Sequence, residues 1–368
     1  MTSTTRQLRD MGQSLWLDNI TRSLLSRGTL QSYIEDFSVS GLTSNPTIFE
    51  HAIGNGDSYD AAIDTKARAG LAGEAMFFEL ALEDLRQAAD LFRPIHATTD
   101  GLDGWVSLEV SPLLADDSAA TVVAAAHLHR RAQRDNLFIK IPGTGAGIAA
   151  IEASIFAGVP VNVTLLFSPA HYLAAAEAYM RGIERRIAAE LHPVVHSVAS
   201  LFISRWDVAV KDRVPCELHN LLGIAIAQTT YQAYRELLAS PRWCKLAAAG
   251  ARPQRLLWAS TGTKDRAAAD TLYVDALAAP DTINTMPEKT LLAFGAHGAV
   301  RGVMAADGDN AVATLAEFAR AGIDVVALAE SLQQEGAYAF TKSWNKLLAC
   351  IAAKSAHLNP SFAAKSTP

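Results

Sequence analysis

The sequence predicts an α/β fold, a (β/α)8 barrel of the TIM type with additional C-terminal helices. Short apolar or β-branched runs alternate with long amphipathic, Ala-rich segments along the chain, as repeated strand–helix units with a parallel sheet should read. Eight such runs can be placed, and beyond Pro287 the pattern turns wholly helical.

In chain order, the strands are expected at Ser14–Asn19, Ser38–Ser44, Trp105–Val110, Leu137–Ile141, Val159–Leu165, Val194–Leu201, Arg255–Ser260 and Thr282–Met286. Helical spacing lies between them at Glu74–Leu91, Ser118–Arg134, Ala146–Phe156, Pro169–Leu191 and Asp207–Leu238. Ser168-Pro169 supplies an N-cap oxygen followed by a first helical residue with preset φ. The connection from Thr47 to Gly73 reads as a long loop, either part of a functional mouth or a tolerated insertion. The last helices are Leu291–His297, Ala311–Ala321 and Val325–Leu358. With no long Gly/Ser/Pro linker and no internal repeat, residues 1–368 are expected to form a single domain, residues 287–368 being helices docked on the barrel.

The chain has 368 residues and a formal charge of −6, with half of its residues hydrophobic and 19% charged. That balance suits a large core and argues against disorder; the mild acidity argues against nucleic acid or an anionic membrane as partner. Cys216, Cys244 and Cys350 are too few and too scattered for a disulfide framework or a Cys-cluster metal site, so no metal is expected. Met1 to Ser14 is polar and no run is long enough to cross a bilayer, so a cytoplasmic location is expected.

The chemistry is carried by polar residues that interrupt the strands. Lys140 sits near the end of the apolar run Leu137–Ile141, closed by Pro142 and Gly143. There it either snorkels to the barrel rim or is desolvated. Desolvation penalises an ammonium, lowers its pKa and leaves a fraction of nucleophilic amine that can attack a ketone and form a Schiff base, an electron sink for C–C cleavage. Neighbouring runs carry acids, hydroxyls and amides at the same end: Asp18, Thr43, Asn45, Ser107 with Glu109, Asn162 with Thr164, and Ser200 with Phe202, each of the last three pairs sharing a strand face. Singly each reads as a cap or a satisfied buried group; jointly they match barrel sites assembled from several strand ends. Arg205 and Lys264 follow the sixth and seventh runs, where a phosphate anchor would sit, although either alone is an ordinary surface charge.

At these residues the chain resembles transaldolases of the longer bacterial form, through Thr43-Ser-Asn45-Pro-Thr-Ile-Phe49, Val106-Ser-Leu-Glu109, Phe138-Ile-Lys140-Ile-Pro142, Asn162-Val-Thr164-Leu-Leu-Phe167 and Val198-Ala-Ser200-Leu-Phe202-Ile-Ser-Arg205. The resemblance implies ping-pong transfer of dihydroxyacetone from fructose 6-phosphate or sedoheptulose 7-phosphate to erythrose 4-phosphate or glyceraldehyde 3-phosphate, in the non-oxidative pentose phosphate pathway. By it, Lys140 forms the Schiff base, Asp18 exchanges the proton of the C4 hydroxyl, and Glu109 and Thr164 hold a proton-shuttling water. Asn45, Asn162 and Ser200 contact the sugar, Arg205 and Lys264 hold its phosphate, and Thr43, Ser107 and Phe202 complete the substrate-binding set. No cofactor is implied, the partners are sugar phosphates, and the chain is expected to be a monomer or homodimer. Shorter members carry arginine where this chain has Lys264, and a point charge does not replace a planar fork. The alternatives are a fructose 6-phosphate aldolase, which resembles a pattern with Gln at the Glu109 position and Tyr at the Phe202 position, and a sugar-phosphate-binding barrel without chemistry.

Other motifs are weaker. Gly143, Gly145 and Gly147 miss the dinucleotide spacing and read as a turn opening a helix. His127 and His129 do not face each other on a helix and read as solvated. Asp307-Gly-Asp309-Asn310 lacks a calcium-loop pattern and reads as a turn that caps the next helix. Tyr338, Phe340 and Trp344 are expected to pack the last helix across the barrel; a further reading has this helix near the mouth, excluding water from the imine.

Overall fold

A computed structural model describes residues 3–358. Eight parallel strands close into a barrel in sequence order. They are β1 (Ser14–Asp18), β2 (Val39–Thr43), β3 (Trp105–Glu109), β4 (Leu137–Pro142), β5 (Val161–Leu166), β6 (Ser197–Phe202), β7 (Arg255–Ala259) and β8 (Ile283–Met286). Every residue of β2 to β8 is buried, which a parallel sheet covered by helices on one face and packed inside on the other requires.

Register turns this barrel into a frame for chemistry. Glu109 lies opposite Lys140, Lys140 opposite Asn162, Pro142 opposite Thr164, and Asp18 opposite Thr43. The polar residues therefore stack at the C-terminal strand ends as the sequence implies. The other end is closed by bulk: Trp105 stacks on Phe138 at 4.0 Å, and Arg255 donates to Leu102 O, Ser14 Oγ and Thr282 O. Between them Trp16 donates to Asp103 at 2.7 Å and lies so close to Gly41 that a Cβ there would stand 2.5 Å from the indole.

Several boundaries differ from expectation for local reasons. β5 begins after Pro160, a residue that has no N–H to give a ladder, and β6 begins at Ser197, later than expected. The expected helix Asp207–Leu238 is broken at Pro215 into Ser204–Val210, a short 3-10 turn and Leu222–Ala239. Asp207 spans that break, accepting from Leu222 N at 2.9 Å and from the Tyr273 hydroxyl at 2.7 Å. Residues 47–73 are mostly helical, not a loop: Pro46–Gly54 and Asp60–Arg68 are helices, the first capped by Asn45, whose side chain accepts from Ile48 N. Asn45-Pro46 is the same cap-plus-proline signal as Ser168-Pro169, which caps as expected. His127 is exposed, but His129 is half-buried and its desolvated ring has a lowered pKa. Asp307–Asn310 turns the chain, yet the Asn310 side chain does not cap the following helix.

Beyond β8 the chain forms Glu288–His297, Ala311–Arg320 and the long helix Val325–Leu358, the first two separated by an irregular stretch tied down by Met304 N donating to Ala278 O. The long helix packs on Pro46–Gly54, Asp60–Arg68 and Gly73–Thr98. Trp344 meets Phe77 edge-on at 4.9 Å, while Tyr338 is exposed and packs nothing down. Among the described residues no helix is long and apolar enough to cross a membrane.

A buried charge network anchors the segment after β1. Arg22 pairs with Asp84 at 3.0 Å and Glu83 at 2.6 Å, and Tyr59 donates to Asp84 at 2.7 Å. Desolvation outweighs these partners and pushes the Asp84 carboxyl up from 3.8 to about 6. Between those values the folded chain holds a proton that the unfolded chain releases, so this group's contribution to stability falls as pH rises through that window. Asp84→Asn should remove the effect. In denaturant titrations, variant stability relative to wild type should increase by up to about 3 kcal/mol between those two pH values; a pH-independent difference would contradict the assignment.

Candidate active site

The C-terminal strand ends surround a cavity of about 310 Å³. Asp18, Thr43, Asn45, Lys140, Thr164, Ser200, Phe202, Arg205 and Lys264 line it together. Ser107, Glu109 and Asn162 do not line it; they back it from within the barrel.

Lys140 is the most buried of the cations that line the cavity, 5% exposed. Its Nζ donates to Ser44 O at 2.9 Å and lies 3.4 Å from Glu109 Oε2. Ser44 is itself held, its hydroxyl donating to Ser107 O at 2.8 Å. A buried ammonium with no carboxylate in reach would be prohibitively costly, and the β3–β4 register brings Glu109 beside it. Glu109 pays in turn: burial raises its pKa, against the opposing pull of Lys140.

Asp18 stands across the cavity. Thr43 donates to its Oδ1 at 2.7 Å, which commits the only hydroxyl proton of Thr43 and makes Thr285, at 2.7 Å from Thr43, the donor in that second bond. Burial raises the Asp18 pKa more than Lys140, the Thr43 bond and Lys264 lower it. A carboxyl whose pKa is raised by burial in a cavity wall is suited to exchanging protons.

Asn162 is fully buried and fixed at both ends of its amide, donating to Ser107 Oγ at 3.1 Å and accepting from Ser200 Oγ at 2.7 Å. In this arrangement Ser107 and Asn162 orient Ser200, which does face the cavity. Asn45 spends its side-chain oxygen on the helix cap and keeps its NH2 for the cavity. The Thr164 hydroxyl and Glu109 Oε2 are buried without a protein hydrogen-bond partner among the described residues, so both can serve a third group.

At the rim, Arg205 is the second residue of the helix Ser204–Val210 and lies over the Phe202 ring at 5.4 Å. Neither Arg205 nor the exposed Lys264 forms a hydrogen bond or ion pair among the described residues, and partial burial lowers the Arg205 pKa. Glu335 acts on Arg205 and Asp18 on Lys264 only at longer range, so both cations, beside Ser260 and Gly262, are free to meet an anion. Reading the sequence missed Ser260, Thr285 and His51 as lining residues; Phe340, expected in packing or near the mouth, lines the cavity. Thr285 sits in the least conspicuous strand, and its role appears only through Thr43. Among the described residues no three His, Cys, Asp or Glu side chains gather as metal ligands.

The family model described as Transaldolase/Fructose-6-phosphate aldolase matches residues 15–351. Similar relatives named transaldolase come from Arthrobacter sp. (strain FB24), 46% identical over 361 residues covering 95% of this chain and 96% of the relative, and from Thermobifida fusca (strain YX), 43% identical over 96% and 98%. A further one, from Neisseria gonorrhoeae, is 43% identical over 93% and 97%.

The two rim cations should act on the same anion. Calorimetric titration with inorganic phosphate is expected to show roughly tenfold weaker binding for Arg205→Ala, a smaller loss for the exposed Lys264→Ala, and weakening of both with salt. Unchanged affinity in the arginine variant would remove it from the anion site.

Proposed function

The chain belongs to the transaldolase/fructose-6-phosphate aldolase family and is an enzyme of the transaldolase kind, and on that premise we propose that Lys140 carries a dihydroxyacetone unit between sugar phosphates as a Schiff base. The donor is sedoheptulose 7-phosphate or fructose 6-phosphate, and the acceptor is glyceraldehyde 3-phosphate or erythrose 4-phosphate. The observation that carries this reading is the buried Lys140 Nζ, 3.4 Å from Glu109, at the bottom of a cavity whose rim holds two unpaired cations.

The phosphate docks on Arg205 and Lys264, and Asn45 and Ser200 bind sugar hydroxyls. The free amine of Lys140 adds to the C2 carbonyl, giving a carbinolamine. Glu109 and Thr164 hold a water that moves a proton from nitrogen to oxygen as the carbinolamine forms and then relays one from the Glu109 carboxyl to the departing hydroxyl, so water leaves and an iminium remains. Asp18 then takes the C4 hydroxyl proton. The C3–C4 bond breaks, the aldose phosphate leaves, and the bonding pair flows into an enamine on Lys140. The acceptor aldehyde enters, C3 of the enamine attacks it, and Asp18 returns the proton; hydrolysis of the new iminium frees the product and the amine. The raised pKa of Asp18 supports this shuttle.

Phe340 reaches over the amine from the C-terminal helix, 6.0 Å from Lys140 Nζ to the ring centroid. It keeps water from the enamine, as the apolar Phe202 does from the other side. All these groups come from one chain, so the reaction needs no second copy; we place the enzyme in the cytoplasm, as a monomer or homodimer folded as one domain.

Four outcomes test the proposal. In a coupled assay with fructose 6-phosphate and erythrose 4-phosphate, Lys140→Ala should be inactive, and a rate equal to wild type would overturn the mechanism. Asp18→Ala should lose roughly a hundredfold or more; a loss below about threefold would deny it the proton-transfer role. Borohydride with fructose 6-phosphate should fix a three-carbon adduct on Lys140: no adduct would favour a binding protein, and turnover independent of acceptor an aldolase. Phe340→Ala should raise the ratio of dihydroxyacetone released to dihydroxyacetone transferred, and an unchanged ratio would contradict its role against water.

A further inference from the structure

The end of β5 adopts a backbone that the barrel alone does not explain. Leu165 has φ +60°, a left-handed conformation that a branched aliphatic residue rarely adopts. The β5–β6 register shifts between Val163 and Leu166, so the ladder is irregular at this point. Thr164, immediately before, faces the cavity, and its carbonyl accepts from Gly143 N at 2.8 Å. Something outside the sheet has to hold this kink.

Gln333, on the C-terminal helix and buried, does so. Its Nε2 donates to Leu165 O at 3.0 Å and to Gly143 O at 3.1 Å, using both hydrogens of the amide. Two carbonyls can only accept, so this orientation of the amide is the one the chemistry permits. A longer contact of 3.5 Å reaches His171 Nδ1, which accepts from Phe167 N. One turn on, Gly336 lets the helix close in: a Cβ there would stand 2.9 Å from Leu165 Cδ2 and 3.4 Å from Arg205 Nη1. The next turn brings Phe340 over Lys140. Positions 333, 336 and 340 thus share the face that meets the mouth.

We propose that Gln333 is a positioning residue, a two-pronged clamp on the ends of β4 and β5 that holds the Leu165 kink and so aims the Thr164 hydroxyl at the Lys140–Glu109 pair. Docking of the C-terminal helix and assembly of the imine-forming groups become one event. This rests on the reading of Lys140 and Thr164 given above.

The test is the rate of borohydride-trapped adduct formation with fructose 6-phosphate, together with KM and thermal stability. Gln333→Leu keeps the volume and removes both donors. Its trapping rate should fall roughly ten- to a hundredfold with KM within about threefold of wild type, because misplacing a proton-transfer group slows the chemistry without removing the phosphate anchor. Leu332→Ala, a buried neighbour on the same helix, should lower stability while leaving the trapping rate of the folded protein near wild type. Gln333→Glu gives a second signature, available even if Gln333→Leu fails to fold. Its carboxylate cannot donate, whereas its protonated form donates one hydrogen bond, so its rate relative to wild type should rise as pH falls from roughly 8 to roughly 6. The nearby charged groups, His171 with its partner Glu330, Glu335 and Arg205, are present in both proteins, so the ratio isolates residue 333. Trapping at the wild-type rate in Gln333→Leu, a loss no different from that of Leu332→Ala, or a flat pH ratio in Gln333→Glu would each overturn the clamp. Absence of any adduct in the wild type would instead overturn the reading of Lys140.

Discussion

A lysine kept charged out of water needs a carboxylate within reach, and the pairing of β3 with β4 places Glu109 opposite Lys140. Most of the site follows from that constraint. Glu109 is itself buried and held above the usual carboxylate range, so the pair is a high-energy arrangement kept by the surrounding barrel. Ser44 O gives the ammonium a second acceptor, and the Ser44 hydroxyl ties that carbonyl to β3. A one-residue slip in register would turn Glu109 or Lys140 out of the barrel and leave the other charge buried alone.

Around this pair the cavity separates its charges. Two carboxyls with raised pKa values face one lysine at the bottom, while Arg205 and Lys264 stand unpaired at the rim. A ligand with a ketone at one end and an anion at the other matches that division. Hydroxyl relays fix the geometry between the two ends: Thr285 to Thr43 to Asp18 on one wall, Ser107 to Asn162 to Ser200 on the other. Each buried polar atom spent on a neighbour is one whose position the substrate need not organise.

Most of this was legible in the sequence, because a barrel strand carries its signal locally. An apolar run broken by one polar residue near its end marks both the strand and the layer, and Lys140, Asp18 and Thr164 could be read that way. Arg205 and Lys264 were legible as the first cations beyond β6 and β7. What stayed hidden depends on contacts between distant segments. Thr285 acts only through Thr43, Gln333 only through two backbone carbonyls, and Ser107 and Asn162 turned out to grip one another behind the cavity. The helices within residues 47–73 were missed although Asn45-Pro46 announces the first of them, since Gly54 to Asp57 drew the reading towards a loop. Pro215 likewise marked a break that the apolar periodicity on either side concealed.

The proposed transfer depends on a covalent bond between one nitrogen and one carbon. It is tested most directly by nuclear magnetic resonance on protein carrying nitrogen-15 in its lysine side chains, mixed with fructose 6-phosphate carrying carbon-13 at C2. One-bond coupling between that carbon and a single lysine nitrogen, lost in Lys140→Arg, is the expected result. Coupling that survives the substitution, or a C2 resonance that stays that of the free ketose while the sugar is turned over, would contradict the account.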